Sequence, residues 1–263
     1  YFYKKETFMT TSRKNGSLYT NIQNSIATIE FGHPASNSFP SELLERLKNE
    51  ILSVGNNEAV SVIILRSEGE KAFCAGASFD ELVAISNLQE GKQFFSGFAN
   101  VINAMRTCGK LIIGRIQGKT VGGGVGLAAA CDYVLATENA SIKLSEFTIG
   151  IGPFVIEPAV TRKIGVSGTA ELTLDATSWK NAYWAKDKGL YAKVFESQKE
   201  LDDEVEILAN KLASYNPDAL AEMKKVLWKG TEDWDDLLAE RAAVSGELVL
   251  SEFTKRALSK FKK

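Results

Sequence analysis

Four glycines within five residues form the most unusual stretch of this 263-residue chain. Gly122, Gly123, Gly124 and Gly126 follow an apolar run at residues 111–116 and precede small residues that favour a helix. This order predicts a strand, a tight turn and a helix N-terminus, whose first N–H groups have no partner within the helix. Because the helix dipole also favours negative charge there, the turn can hold an electron-rich group against the backbone.

A second turn of small residues, Ala75-Gly76-Ala77, follows another apolar run at residues 60–65 and also precedes a helical pattern. Two such turns in one α/β sheet can each present a backbone N–H group to the same carbonyl oxygen. The pair would form an oxyanion hole, which stabilises an enolate, and loss of one donor typically costs about a hundredfold or more in rate.

The first glycine turn also fits a dinucleotide-binding fingerprint. Residues 124–129 have the pattern G-x-G-x-x-A, and Glu146 lies twenty residues beyond Gly126, where such folds place the acid that binds a ribose. Against this interpretation, residues 117–121 separate the turn from its strand, whereas the fingerprint follows its strand directly. The full phosphate-loop motif G-x-x-x-x-G-K-S/T is absent, because Ile113 stands where the glycine that must precede Gly118-Lys119-Thr120 by five residues would be. A purely structural glycine turn is the third alternative.

The composition disfavours several classes of function. A formal net charge of −2, with 24% charged and 44% hydrophobic residues, is typical of a globular protein and predicts no binding to nucleic acid or a membrane. His33, the single histidine, lies in a predicted turn, so zinc and histidine-based nucleophilic sites are disfavoured and a carboxylate is expected to do any acid–base chemistry. Three cysteines without metal-ligand spacing predict a reducing, cytoplasmic location.

A framework of alternating strands and helices is predicted to position the two turns. Apolar–polar alternation around Asn24 predicts a β-hairpin, and from residue 201 onward only amphipathic helices are predicted. Strand and helix signals in between favour an α/β fold with parallel pairing. Further strands are predicted at 60–65, 111–116, 133–136 and 141–144, and further helices at 41–52, 79–85 and 89–106.

The domain organisation follows from this pattern. Residues 1–16 are polar and irregular and are predicted to be a flexible N-terminal arm or an expression remnant. Residues 17–200 are predicted to form the α/β core, and residues 201–263 a helical C-terminal region.

Both turns lie within longer motifs, K-A-F-C-A-G-A at 71–77 and I-Q-G-K-T-V-G-G-G at 116–124. These are similar to the K-A-F-x-A-G-A-D and I-x-G-x-A-x-G-G-G motifs of the crotonase, or enoyl-CoA hydratase/isomerase, superfamily. Three further motifs resemble the family in the same order and spacing, so the resemblance extends from residue 18 to the C-terminus. They are Cys131-Asp132, Pro217-Asp218-Ala219 with Lys224, and Ala239-Glu240-Arg241.

The resemblance implies a right-handed spiral of ββα turns, closed by C-terminal helices that assemble a homotrimer or a dimer of trimers. It implies an acyl-CoA substrate, with coenzyme A as part of that substrate and no metal or redox cofactor. By motif position, the thioester oxygen would lie between the N–H groups of Ala77 and Gly123. The acyl-pantetheine would be flanked by Ala75, Ser78, Phe79 and Asp80, with Ser78 standing where the family usually has aspartate.

Hydratases of this family use two glutamates, and this chain matches only one of them. Glu146 stands at the second glutamate position, whereas Gly126 stands at the first. One glutamate is enough to take a proton from C2 of a 3-enoyl thioester and return it at C4, and the family's isomerases use a single glutamate at this place. Phe154 stands where hydratases tend to have glycine, and its ring would displace the water that hydration needs.

The preferred expectation is therefore a Δ3–Δ2 enoyl-CoA isomerase in which Glu146 is both acid and base. Glu157 keeps enoyl-CoA hydratase activity open, because it would supply a relocated second carboxylate if it faced the acyl chain. Its position directly before Pro158 is also typical of the first turn of a helix. A further alternative is a non-catalytic CoA-binding or assembly protein that has lost turnover together with the first glutamate.

Overall fold

The structure, a computed structural model, describes residues 15–260, so the predicted arm lies almost wholly outside the described residues. The strands are β1 (Ser17–Gln23), β2 (Ile26–Gly32), β3 (Val62–Ser67), β4 (Ala72–Cys74), β5 (Leu111–Ile116), β6 (Lys119–Val121), β7 (Tyr133–Thr137), β8 (Ile142–Lys143) and β9 (Lys193–Phe195). The helices are α1 (Ser41–Gly55), α2 (Phe79–Ala84), α3 (Leu88–Thr107), α4 (Gly123–Ala130), α5 (Glu157–Leu174), α6 (Ala182–Asp187), α7 (Gln198–Ala213), α8 (Pro217–Leu227), α9 (Trp234–Leu248) and α10 (Glu252–Ser259). A 3-10 helix spans Glu146–Ile149.

The described strands form two sheets. A six-stranded sheet has the order β1-β2-β3-β5-β7-β9, and a three-stranded sheet has the order β4-β6-β8. The predicted hairpin joins β1 to β2, and its turn residues Asn24 and Ser25 have φ of 52° and 60°, as a two-residue type I′ turn requires. All other neighbouring strands are parallel. The central strand β5 is buried along its whole length, as expected for a parallel strand covered on both faces.

The chain passes three times from the large sheet to the small one, and a helical segment follows each time. The successive pairs are β3 with β4, β5 with β6, and β7 with β8. This is the ββα spiral that the resemblance implies, and the α/β fold class is confirmed. The sequence pattern does not predict β4, β6 or β9, because three residues are too few to show alternation.

The small sheet determines where the two glycine turns lie. Because β4, β6 and β8 are parallel neighbours, their carboxyl ends meet at one edge. The segments that leave this edge are Ala75-Gly76-Ala77 after β4, Gly122-Gly123 after β6 and Ser145-Glu146 after β8. Three segments that are far apart in sequence are thereby brought together.

The helices after residue 200 pack directly on the spiral. The outer face of the large sheet is covered by α7, which buries Leu201, Val205 and Ala209 there. Helix α9 packs along α3, and glycines at the crossing let the two backbones approach closely. A β-carbon on Gly91 would lie only 2.8 Å from the carbonyl oxygen of Gly246.

A buried ion pair joins α8 to the spiral. Asp132, which lies between α4 and β7, accepts hydrogen bonds from Lys224 Nζ at 2.8 Å and from Trp228 Nε1 at 2.7 Å. The side chains of Lys224 and Asp132 are only 3% and 5% exposed. Removing either partner would leave a buried charge uncompensated, which is strongly destabilising. Two of the five sequence motifs therefore meet in a contact that holds the fold.

Candidate active site

The segments that leave the small sheet line a cavity of about 190 Å³. Its lining is mostly apolar, and within the described residues Glu146 is the one ionisable side chain that lines it. The two turns contribute backbone, α3 contributes aromatic side chains, and Ile149 and residues 151–156 contribute further lining. Such a cavity, with few convergent polar groups in an apolar lining, is typical of a small-molecule site.

Glu146 begins the 3-10 helix that follows β8. The residue is half-buried as a whole, but its Oε2 atom is buried and has no hydrogen-bond partner. Burial raises the pKa of Glu146 from 4.5 to about 7, although backbone hydrogen bonds at Glu146 and Ser145 oppose part of that rise. A carboxyl group with this pKa can take up or release a proton near neutral pH.

Gly122 allows the carboxylate of Glu146 to lie directly against the glycine turn. A β-carbon on Gly122 would lie 3.0 Å from Glu146 Oε1, so a larger residue there would crowd the carboxylate. The backbone of Gly122 has φ 53° and ψ −122°, a conformation that side chains other than hydrogen rarely permit. Both constraints require glycine at this position.

Two backbone N–H groups beside the carboxylate are free to bind a ligand. Ala77 and Gly123 both line the cavity, and neither N–H donates a hydrogen bond within residues 15–260. The turns that contain them are adjacent, because a β-carbon on Gly76 would lie 3.8 Å from the nitrogen of Gly123. Gly123 is also the first residue of α4, where the helix dipole favours a negatively charged ligand atom.

An aromatic wall from α3 completes the cavity, and the sequence pattern does not predict it. Phe94, Phe95 and Phe98 line the cavity, and a β-carbon on Gly123 would overlap the Phe98 ring. Ser245 of α9 also lines it. The sequence predicts α3 as a helix but not which of its faces lines the cavity. The three phenylalanines within five residues are the sequence feature that could have indicated that face.

Only some of the other predicted substrate-binding residues line the cavity. Ala75, Phe79 and Phe154 line the cavity, whereas Ser78 and Asp80 are not among the lining residues. Ser78 instead caps α2, where its Oγ accepts a hydrogen bond from Glu81 N at 3.3 Å. Asp80 is exposed in the first turn of the same helix.

Glu157 and Gly126 also lie outside the lining of the cavity. Glu157 begins α5 with Pro158 after it, and its carboxylate accepts a hydrogen bond from Thr161 Oγ1 at 2.5 Å. Gly126 is fully buried in α4, and a β-carbon there would lie 2.7 Å from the β-carbon of Ile156. The place of the first family glutamate is thus covered by an apolar side chain.

The remaining reactive side chains do not reach the cavity. His33 lies in the turn after β2, where its Nδ1 accepts a hydrogen bond from Ala35 N at 3.2 Å. Burial raises the pKa of Cys74 and Cys131 to about 12, so neither is a nucleophile near neutral pH. Among residues 15–260, no group of three or more His, Cys, Asp or Glu side chains could hold a metal ion, and no helix is long and apolar enough to cross a membrane.

Comparison with known proteins finds enoyl-CoA hydratases and isomerases among the proteins similar to this chain. Residues 21–259 match the family described as enoyl-CoA hydratase/isomerase. A short-chain-enoyl-CoA hydratase of Clostridium acetobutylicum is 30% identical over 239 residues, which cover 90% of each chain. A peroxisomal Delta(3,5)-Delta(2,4)-dienoyl-CoA isomerase of Arabidopsis thaliana is 29% identical over 228 residues, covering 81% of this chain and 80% of the relative. An enoyl-CoA hydratase structure from Bacillus halodurans superposes with a TM-score of 0.85 at 24% identity, covering 92% of this chain and 99% of the other.

The chain belongs to the enoyl-CoA hydratase/isomerase family of the crotonase superfamily. It is accordingly an enoyl-CoA isomerase or hydratase, and relatives of both kinds are similar to it. Family membership also displaces the dinucleotide interpretation of the glycine turn. Glu146, which that interpretation would place on a ribose, lines the apolar cavity beside the turn.

Proposed function

We propose that this chain isomerises a 3-enoyl-CoA thioester to the 2-enoyl-CoA isomer. The observation that supports this most directly is the single ionisable side chain, Glu146, among the described residues that line the cavity. Its pKa of about 7 suits a group that must accept a proton and then give it back.

The proposed reaction uses the turns and the carboxylate together. The N–H groups of Ala77 and Gly123 donate hydrogen bonds to the thioester oxygen, which becomes negatively charged as the dienolate forms. Glu146 removes a proton from C2, the double bond moves from C3–C4 to C2–C3, and the same proton is delivered to C4. No atom is gained or lost, so a single acid–base group completes the cycle.

Hydration is the second candidate, and the hydratase relatives favour it. It would require a second group to hold water, yet Gly126 has no side chain and the Phe154 ring contributes an apolar part of the lining. Glu157, the alternative source of a second carboxylate, is outside the lining and bonded to Thr161. A non-catalytic CoA-binding protein would need no base, whereas burial of the Glu146 carboxyl has an energetic cost that a base would justify.

The proposed reaction requires no metal or redox cofactor, because only a proton moves and coenzyme A enters with the substrate. The cysteines of the described chain, Cys74, Cys108 and Cys131, are buried and free, which suits a reducing compartment, and we place the enzyme in the cytoplasm.

Separate assays with 3-enoyl-CoA and 2-enoyl-CoA thioesters, with chromatographic identification of each product, test this proposal. We expect isomerisation, and we expect Glu146→Gln to lower its turnover by about 10²–10⁴-fold. Glu157→Gln is the matched control and should retain the parent rate, because its carboxylate is outside the cavity. Hydration without isomerisation would support the second candidate, and thioester binding without any turnover would support the non-catalytic one.

A further inference from the structure

The close contact between Gly126 and Ile156 leaves no room at position 126 for the first glutamate of the family's hydratases. Gly126 lies one helical turn after Gly123 in α4, and Ile156 is the residue before α5. We propose that Ile156 confines this site to proton transfer, because its side chain fills the space from which a second general base would hold water. This inference rests on the isomerase function proposed above.

The obstacle to a side chain at position 126 is rigid. A β-carbon on Gly126 would lie 2.7 Å from the β-carbon of Ile156 and would also overlap the adjoining Cγ2 methyl. These atoms are the branched base of the side chain, which cannot swing aside as the end of a long side chain does. Ile102 of α3 would lie 3.6 Å away, at ordinary van der Waals distance, so Ile156 alone obstructs the β-carbon.

Ile156 is also anchored in place. Its side chain is only 4% exposed, and its carbonyl oxygen accepts a hydrogen bond from Val160 N at 3.1 Å in the first turn of α5. The preceding segment is tied to the same helix by Glu157 N, which donates to Pro153 O at 2.9 Å. Ile156 both lines the cavity and covers Gly126, so it forms the wall between them.

This wall has a chemical consequence for water. In hydration, the oxygen of water bonds to C3, one of its protons is taken up by a base, and a proton is added to C2 as the double bond is lost. At the wall, a water molecule would meet methyl groups instead of polar partners, and ordered water needs about two to four such partners. Ile156 therefore excludes both the second base and its water.

A double-mutant cycle, in which melting temperatures are compared, tests the contact between Gly126 and Ile156 without any substrate. Gly126→Ala should lower Tm by about 3–10 °C in the parent protein, because it overpacks the core. In the Ile156→Gly background the same change should leave Tm unchanged or raise it, because the obstructing β-carbon and methyl are both gone and the added methyl fills vacated space. An equal loss of Tm in both backgrounds would show that Ile156 is not the obstacle and would overturn the proposal.

A double variant tests the chemical consequence. Gly126→Glu combined with Ile156→Gly should hydrate 2-enoyl-CoA at least about tenfold faster than the matched Gly126→Gln, Ile156→Gly control. The control has nearly the same shape but no base. A double variant that melts cooperatively yet hydrates no faster than the control would contradict the proposal.

The two proposals fail in different ways. Isomerisation and hydration by the parent protein are measured in the same assay series. A parent that hydrates but does not isomerise would remove the proposed function, whereas the melting cycle would still report on Ile156. A parent that isomerises, with no coupling in the melting cycle, would leave the function intact and remove only the role of Ile156.

Discussion

The Oε2 atom of Glu146 is buried without a hydrogen-bond partner, and in the proposed reaction the proton affinity of this carboxyl group sets the rate. Burial raises its pKa to about 7, and only the ionised form can take a proton from C2. We therefore expect kcat/KM for isomerisation to rise about tenfold per pH unit below pH 7 and to level off above about pH 8. Initial rates between pH 5 and 9 check this. A profile already flat from pH 5.5 upward would indicate an ordinary, exposed glutamate.

The same burial lowers the stability of the folded protein. The folded-state pKa of Glu146 exceeds the unfolded value of 4.5, so the cost of burying the charged carboxylate is absent below pH 4.5, grows as the pH rises and is complete above about pH 7. Glu146→Gln removes the charge, and at pH 8 it should raise the free energy of unfolding by about 3 kcal/mol. At pH 4 the two proteins should be equally stable. Denaturant titrations at both pH values measure the difference, and a variant no more stable at pH 8 contradicts it.

A residue of the site can be predicted from the sequence when a short motif around it identifies its role. Glu146 and the two turns stand in short motifs, and glycine at 76 and 122 is required by positive φ in the turns themselves. Apolar residues that flank Glu146 in the sequence predict a desolvated, more basic carboxyl group, but its cavity also includes a segment distant in sequence, since Phe98 of α3 lines it. The contact between Ile156 and Gly126 cannot be predicted either, since nothing in the sequence pairs these two residues.

At the scale of elements, α10 supports the 3-10 helix that bears Glu146. That helix ends at Gly150, whose φ is 85°, and a β-carbon there would lie 2.5 Å from Phe253 Cδ1 and 2.6 Å from Thr254 Oγ1. Gly150→Ala should therefore displace the carboxylate and lower kcat by at least about tenfold, with a smaller change in KM. Steady-state kinetics with the 3-enoyl-CoA substrate measure the effect.

Gly230 provides a matched control for this substitution. It has the same φ of 85°, but a β-carbon there would meet no atom within 4 Å. Gly230→Ala should cost about 1–2 kcal/mol of stability from backbone strain alone and leave kcat unchanged. Equal kinetic losses in both variants would mean that strain, and not the contact with α10, explains the effect.

Long elements with a periodic pattern are predicted well, and short ones are not. The hairpin β1–β2, α1 and α3 agree with their predicted ranges to within a few residues. The sequence predicts Glu146 at the end of an apolar strand, but β8 ends at Lys143 and Glu146 begins a 3-10 helix. A four-residue helix and three-residue strands depend on neighbouring segments and show no periodicity of their own.

At the scale of the whole molecule, the resemblance to the family leads us to expect a homotrimer or a dimer of trimers. Helix α8 has apolar side chains open to solvent in the single chain, with Met223, Val226 and Leu227 46%, 63% and 40% exposed. A second copy covering this face would bury them favourably. Light scattering should give three or six chain masses, and Val226→Asp should shift the protein towards the monomer.

Ile207→Asp on α7 is the control, because it introduces the same charge at a 55% exposed isoleucine on a different face. It should leave the measured mass unchanged. A monomeric parent protein would contradict the expected assembly, and an unchanged mass for Val226→Asp would place the interface elsewhere on the surface.

The cavity itself is a property of the complete chain. Its lining extends from Ala75 to Ser245, and the contact between α3 and α9 that closes it depends on a glycine pair more than 150 residues apart. A sequence pattern shows which face of one helix or strand is apolar, so the fold class and the motifs can be predicted. The lining of the cavity cannot, because it combines faces of several elements. The three segments that bear Ala77, Gly123 and Glu146 meet because β4, β6 and β8 are parallel neighbours in the small sheet.

The position of Glu146 also limits the stereochemistry of the reaction. Its carboxylate lies beside the glycine turn, and most of the other side chains that line the cavity are aromatic or aliphatic. A single base works from one side of a flat dienolate. In the proposed isomerisation, the hydrogen that leaves C2 and the hydrogen that arrives at C4 would then lie on the same face. We therefore expect a suprafacial double-bond shift, in which a prochiral C4 acquires its new hydrogen with one handedness.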